Sequence, residues 1–166
     1  YNFSTLWKKR KKILRKNELE LYTRVCGSKI DLLNLQWIYR AKKYYSMEPA
    51  NIYTLLVPIH YRVSPEEIKA MIEAPGIEVF AALLRQPSYA RHYDFGPKLT
   101  IEQMYTECLD RLYRSERRQS PYSIAAITTY LFLKEEELRK LTTALECIRY
   151  GLSSGETLAY IGGKTQ

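Results

Sequence analysis

The sequence has few of the residues that usually build metal or catalytic sites. Its 166 residues include only 3 cysteines and 2 histidines. Cys26, Cys108 and Cys147 are far apart in the sequence, and no Cys/His spacing matches a zinc site. Each cysteine lies in an apolar-periodic segment, which predicts reduced core thiols in a cytosolic protein. His60 and His92 each stand beside a tyrosine rather than in a ligand pattern, so we expect no metal and no catalytic histidine.

Long hydrophobic runs and strand-like alternation are also missing. No window approaches the roughly 18 apolar residues of a membrane-spanning helix. We expect no signal peptide, because Trp7 is followed directly by five cations, Lys8 to Lys12. With 46% hydrophobic and 27% charged residues, the composition predicts a globular protein of one domain or two small ones. The chain starts at Tyr1 without an initiator Met, and we interpret it as a piece of a longer protein.

Positive charge is concentrated at the start of the chain. Residues 1–45 contain 12 Lys/Arg and 3 Asp/Glu, a net +9, whereas residues 46–166 contain 14 and 15, a net −1. A basic face of this kind binds acidic protein surfaces, anionic lipid or nucleic acid, and it is also common on a solvated helix. The candidate contact residues here are Lys8, Lys9, Lys11 and Lys12.

Apolar residues recur with helical spacing throughout, which predicts an all-α fold. Gly27-Ser28 is interpreted as the boundary between two basic helices, and Ser64-Pro65-Glu66-Glu67 as a capping box that starts a later helix. The predicted helices cover residues 3–25, 28–45, 49–57, 65–74, 77–84 and 99–118, followed by a long terminal helix and a short one. Residues 85–98 are predicted to be an irregular segment because they contain two prolines and a glycine.

One apolar stripe runs along the long terminal helix. It consists of residues that recur at steps of three, four or seven: Ile124, Ile127, Leu131, Leu138, Leu141, Leu145 and Ile148. Such a stripe is typical of a helix that packs against others. We therefore predict that Leu131, Leu138 and Leu145 are core residues and that Leu138→Ala destabilises the fold.

The end of this helix resembles an earlier part of the chain. Residues 43–52, KYYSMEPANI, align with residues 149–158, RYGLSSGETL. In both, a long helix ends in a basic-aromatic pair, turns, and is followed by a short helix. This weak repeat indicates two similar helical modules.

Tyrosine is abundant, at 15 residues. Its rigid, amphipathic ring suits protein interfaces, although many tyrosines also simply cover a small core. We favour a contact role for Tyr44, Tyr45 and Tyr61, which lie near predicted turns.

Three segments together resemble the family that comprises the d-type subunit of V-type ATPases and the C-type subunit of archaeal-type ATPases. They are Ile30–Leu35 with Arg40-Ala41-Lys42, then Tyr61–Ile68, and finally Ser120–Ile124 with Tyr130-Leu131, Lys134-Glu135 and Glu137-Leu138-Arg139. Their order and spacing match over essentially the whole chain, which corresponds to the C-terminal half of a subunit about twice as long. The approximate pieces are residues 1–57, 58–118 and 119–166.

The resemblance implies a non-catalytic subunit with no cofactor and no metal. In this family the subunit is all-helical, with three similar helical modules arranged in a funnel. It lies on the cytoplasmic face of the membrane as a peripheral part of a rotary ATPase. There it receives the central shaft and couples it to the membrane rotor ring that transports protons or sodium ions. The expected partners are therefore shaft and rotor-ring subunits.

A different function remains open from the residues alone. The basic segment Lys8–Lys16 with nearby tyrosines also fits a nucleic-acid-binding or peripheral membrane-binding module, although no nucleic-acid signature is present. Glu135-Glu136-Glu137 is interpreted as a solvated face, and Gly162-Gly163 as a terminal tail rather than a phosphate loop. Asn34 and Arg40 are candidate buried polar anchors, with an exposed Arg40 as the alternative.

Overall fold

The computed structural model describes residues 2–86 and 100–161, and over these residues the chain is all-α with no strand. The prediction of an all-helical fold is therefore confirmed. The helices in the described part of the chain are α1 Asn2–Ile13, α2 Lys16–Tyr45, α3 Pro49–Leu55, α4 Pro65–Glu73, α5 Ile77–Leu84, α6 Ile101–Gln119, α7 Ile124–Arg149 and α8 Ser154–Tyr160. None of them is long and apolar enough to cross a membrane. The predicted irregular segment 85–98, with His92, and Gly162-Gly163 lie largely or wholly outside the described residues.

The predicted boundary at Gly27-Ser28 is wrong, because α2 runs through it without interruption. The break comes earlier, between Ile13 and Lys16, where Arg15 has an extended backbone. Cations at i and i+4 in the run from Lys8 to Lys16 repel one another, which disfavours one continuous helix there. Gly27 is buried inside α2 and serves packing rather than helix termination.

Capping interactions fix the start of several helices. The predicted capping box of α4 is confirmed: Ser64 Oγ accepts from the Glu67 N–H at 3.2 Å, and Glu67 Oε2 accepts from the Ser64 N–H at 2.7 Å. Equivalent boxes start α6, with Thr100 and Gln103, and α8, with Ser153 and Glu156. Each box satisfies two backbone N–H groups that have no partner within the helix.

The chain divides into two compact units, residues 1–125 and 126–166. In the first unit, α2 is the central helix and packs against α6 and the short helices. α6 runs antiparallel to α2, because Arg24 pairs with Glu116 near one end and Arg40 with Glu102 near the other. The fully enclosed apolar side chains of this core are Ile30, Leu32, Leu35, Ile38, Ile52, Met71, Ile72, Phe80 and Leu109.

The second unit contains most of α7, followed by α8. The prediction that the α7 stripe is core is wrong for this chain. Leu131, Leu138 and Leu145 are exposed by 53%, 66% and 67%, whereas Thr129 and Phe132, on the opposite side of the helix, are buried. Helical periodicity identifies an apolar face but carries no information on which element covers it.

The weak repeat in the sequence has a structural counterpart. α2 ends at Ser46, with φ 44°, and α7 is followed by Gly151, with φ 74°. Both residues adopt the left-handed conformation that closes helix C-termini. After each, a short turn leads into a helix of 7 residues, α3 or α8. The two segments are therefore the same long-helix and short-helix unit.

Candidate partner-binding site

Two buried polar residues of α2 hold the loop between α3 and α4. The Asp31 carboxylate accepts three backbone N–H groups, from Tyr61 at 3.1 Å, Arg62 at 2.7 Å and Val63 at 3.3 Å. Asn34 donates to the Val57 carbonyl and accepts from the Val57 N–H, both at 3.0 Å. Asp31 and Asn34 are each only 1% exposed. The loop therefore has a fixed position on the central helix, and Asn34 is the buried anchor that the sequence indicated.

Gly27 allows Tyr61 to lie directly against α2. A Cβ atom at Gly27 would come within 2.5 Å of Tyr61 Cγ and 2.8 Å of Tyr61 Cβ. These atoms are the base of the tyrosine side chain, so they cannot move without the loop. The contact explains why a glycine occupies the interior of a long helix despite its low helix propensity.

We expect Gly27→Ala to destabilise the first unit by about 1–2 kcal/mol in chemical denaturation. Overpacking against Tyr61 costs about 1–3 kcal/mol, and the better helix propensity of alanine offsets up to about 1 kcal/mol of that. Gly155→Ala in α8 is the control, since a Cβ there meets nothing within 4 Å. Equal stability of Gly27→Ala and the parent chain would contradict the close approach of the loop.

Tyr61 also lines a cleft between α1 and α2. The cleft has a volume of about 480 Å³ and is lined by Arg10, Lys11, Leu19, Glu20, Thr23, Arg24 and Tyr61. Arg24 is held in place by Glu116, with two N–H···O bonds of 2.8 and 2.9 Å. This hydrogen-bonded pairing raises the pKa of Arg24. Three of the four charged residues that line the cleft are therefore basic, and one of them, Arg24, is held by Glu116.

The four candidate lysines are exposed on α1. Lys8, Lys9, Lys11 and Lys12 form no ion pair within the part of the chain that the structure describes. Arg10 differs from them, because its guanidinium lies 3.7 Å from the Trp7 ring centroid and hydrogen-bonds Thr23 on α2 at 3.3 Å. Arg10 ties α1 to α2, and the lysines around it are presented to solvent.

Tyr44 and Tyr45 lie at the far end of α2. They are 59% and 72% exposed, and the Tyr44 ring packs edge-on against Tyr39 with a centroid distance of 6.4 Å. Lys43 donates to the Tyr39 hydroxyl at 2.7 Å. Tyr44 is 17 positions after Gly27, which is about 26 Å along the helix. The fold therefore brings Lys11 and Tyr61 together in the lining of one cleft, and it places Tyr44 and Tyr45 at the C-terminal end of α2.

The remaining polar candidates are His60, the acids of α7 and Arg40, and they lie at the surface. His60 is exposed, and among residues 2–86 and 100–161 no group of three or more His, Cys, Asp or Glu is placed to hold a metal ion. Glu136 pairs with Arg139 and Glu137 with Lys134 on the exposed surface of α7. Arg40 is exposed, with a side chain 53% accessible.

The three cysteines lie on helices, and none of them forms a disulfide. Cys108 and Cys147 are buried and Cys26 is half-buried. Burial raises the pKa of the Cys26 thiol, which keeps it in the unreactive protonated form near neutral pH. This agrees with the prediction of reduced, structural cysteines.

Sequence reasoning missed Asp31 and Glu116 as structural residues. Both are acids at positions that the helical period places among apolar neighbours, and buried acids are almost always paired. An acid on the apolar face of a helix therefore indicates a buried, paired carboxylate, and this pattern could have identified both residues. The partners lie 30 to 32 residues away for Asp31 and 92 residues away for Glu116, and no local pattern identifies them.

Comparison with known families gives one match. Residues 1–160 match the model of the ATP synthase (C/AC39) subunit family. No curated protein and no solved structure matched the chain.

Proposed function

We propose, from the premise that this chain belongs to the ATP synthase (C/AC39) subunit family, that it couples the central shaft of a rotary ATPase to the membrane rotor ring. The family consists of V/A-type ATP synthase subunits. The observation that carries the proposal is the extent of the family match, which takes in residues 1–160 and so includes both compact units. Under this proposal the chain is the C-terminal half of a funnel-like subunit with three modules.

The mechanical role needs a body that does not deform under load. α2 is 30 residues long, and the loop after α3 is fixed to it by the hydrogen bonds of Asp31 and Asn34. Arg24 and Glu116 tie α2 to α6 through a bidentate pair. These hydrogen bonds and this ion pair connect α2 to the loop and to α6. They make the first unit resist shear, which a part that transmits torque must do.

We propose a non-catalytic role without cofactor or metal. The buried acids that would be first candidates for chemistry are engaged in structural hydrogen bonds: Asp31 with loop amides and Glu116 with Arg24. The proposed location is the cytoplasmic face of the membrane, where the subunit associates peripherally through shaft and rotor-ring subunits of a proton- or sodium-transporting machine.

Reconstitution of the parent complex tests this function. The complex without the subunit that contains this chain should retain ATP hydrolysis in its catalytic head and lose ATP-driven ion transport. Adding the subunit back should restore transport in proportion to its incorporation. Normal transport in its absence would contradict the coupling role, whereas loss of hydrolysis in the detached head would indicate a catalytic contribution.

The basic surface of α1 leads to a separate prediction. Reversing Lys8, Lys9, Lys11 and Lys12 to glutamate should weaken binding of the parent subunit to its membrane sector, because an electrostatic docking face toward acidic protein or anionic headgroups would then repel its partner. Wild-type binding should also weaken with salt, since the screening length is about 10 Å at 0.1 M. Binding is measured by sedimentation with the membrane sector.

A single reversal on another helix of the first unit serves as a control for general surface charge. Lys69 lies on α4 and pairs only weakly with Glu73, at 3.9 Å. Lys69→Glu should leave sedimentation unchanged. If the four reversals on α1 behave like this control, the lysines serve only as a solvated face.

A further inference from the structure

The cleft between α1 and α2 has cations on both of its walls. Arg10 and Lys11 line it from α1, and Arg24 lines it from α2. Its volume is about 480 Å³, and the Tyr61 side chain contributes to the lining. Packing α1 against α2 brings like charges near one another, which is unfavourable unless a negative group offsets them. The geometry of the cleft therefore favours an anionic ligand.

Arg10 and Arg24 are fixed in position and keep unused donors. Arg10 donates through Nε to Thr23 and through a terminal nitrogen to the Trp7 carbonyl, and its guanidinium stacks on the Trp7 ring. Arg24 donates through Nε and a terminal nitrogen to Glu116. An arginine has five N–H donors, so these contacts leave three on each guanidinium. The protein itself therefore orients these donors, which reduces the ordering that accompanies binding.

The acids near the cleft do not neutralise its charge. Among the residues that line the cleft, Glu20 is the one acid, and the Glu116 carboxylate is already paired with Arg24. The Arg62 guanidinium adds a further positive charge beside the lining, 5.3 Å from the Tyr61 ring centroid. The cleft therefore keeps a net positive charge, which favours a ligand with more than one negative charge.

We propose that this cleft binds a phosphate group, which Arg10 and Lys11 hold from α1 and Arg24 holds from α2. Near neutral pH a phosphate monoester carries close to two negative charges and has three strong acceptor oxygens. Because these oxygens point in different directions, the group accepts from both walls at once. This site is independent of the coupling role. Free phosphate and the headgroup of phosphatidic acid offer the same chemistry.

A carboxylate from the remainder of the longer subunit is the main competing occupant. A carboxylate has one negative charge and two oxygens, with its carbon skeleton on the opposite side. It pairs well with a single guanidinium in the forked geometry, and the donors on the facing wall are then left without an acceptor. Donors on two walls and the surplus of positive charge therefore favour a phosphate over an acidic side chain, whichever part of the complex supplies that side chain.

Titration of the full-length subunit with inorganic phosphate, followed by phosphorus NMR, tests the site. Lys11→Gln should weaken saturable binding at least about tenfold, since it removes one charge-assisted contact. Lys16→Gln is the matched control, because Lys16 is also an exposed lysine of the basic segment and lies outside the lining. It should change the affinity less than about twofold. Equal losses in the two variants would show a diffuse basic surface and overturn the site.

The subunit that contains the remainder of the chain also tests the competing occupant. If that remainder fills the cleft, the full-length subunit shows no phosphate binding that depends on Lys11, and the proposal is wrong. Lys11 is exposed, so Lys11→Gln should keep the melting temperature of the parent, and a loss of binding then reports on the site rather than on folding.

Two further ligands define the chemistry. Succinate, which also carries two negative charges, should compete with phosphate at least about fivefold less well than phosphate itself binds. Succinate binding as tight as that of phosphate would overturn the phosphate assignment. Sedimentation with vesicles of phosphatidylcholine and phosphatidic acid identifies the source. Pelleting that Lys11→Gln abolishes assigns a lipid headgroup, whereas phosphate binding without such pelleting assigns free phosphate, and either result supports the site.

Discussion

Replacing Asp31 by alanine should lower the free energy of unfolding by about 3–5 kcal/mol. The substitution removes one carboxylate that accepts three backbone N–H groups, at Tyr61, Arg62 and Val63. A buried donor left without an acceptor costs about 1–3 kcal/mol, and hydrogen bonds to a charged group lie at the upper end of that range. Val63 is itself buried, so its N–H has little access to replacement water. Urea denaturation followed by circular dichroism measures the change.

Two further variants determine whether the effect belongs to this network. Asp31→Asn keeps the shape and one acceptor oxygen, and we expect it to recover part of the lost stability. Asp110→Ala removes an acid from the exposed surface of α6, where Asp110 pairs with Arg114 four residues later. Exposed pairs of this type contribute about 0.3–0.5 kcal/mol. An Asp31→Ala variant no less stable than Asp110→Ala would show that the loop does not depend on the carboxylate.

Local physics made most of the helices predictable. The Ser64-Pro65-Glu66-Glu67 box and Pro49 act within one turn of their own positions, and both start helices as expected. α5 matches its predicted range, residues 77–84. Interactions this short depend only on neighbouring residues, and tertiary packing does not override them here.

Features decided by distant residues were not predictable. The sequence pattern predicts a helix end at Gly27 because glycine usually marks one, yet its missing side chain makes room for Tyr61, 34 positions later. Likewise, the candidate contact residues Tyr44 and Tyr61 share a residue type, but Tyr44 lies at the C-terminal end of α2, whereas Tyr61 lies in the loop after α3 and packs against Gly27. Sequence patterns predicted the residue types of a surface, and the fold determined which of them meet.

The second large effect compares two leucines that the repeat makes equivalent. Leu32→Ala in α2 should lower the free energy of unfolding by about 2–5 kcal/mol, because a buried leucine leaves both lost contacts and a cavity. Leu138→Ala in α7, 106 residues later, should change it by less than about 0.5 kcal/mol, the usual range for surface substitutions. Their accessibilities of 1% and 66% are the reason. Urea denaturation of the two variants measures both changes.

The same pair should behave differently in the assembled complex if another part of the complex covers the α7 stripe. In the assembled complex, Leu138 should become a contact residue, so Leu138→Ala should weaken retention of the subunit during gradient centrifugation. A single truncation of this kind typically costs about 1–3 kcal/mol at the centre of an interface. Leu32→Ala should affect retention only in proportion to the fraction of unfolded subunit. If Leu138→Ala instead melts the isolated chain as strongly as Leu32→Ala does, the stripe is part of the chain's own core. If it changes neither stability nor retention, the α7 stripe stays exposed in the assembled complex.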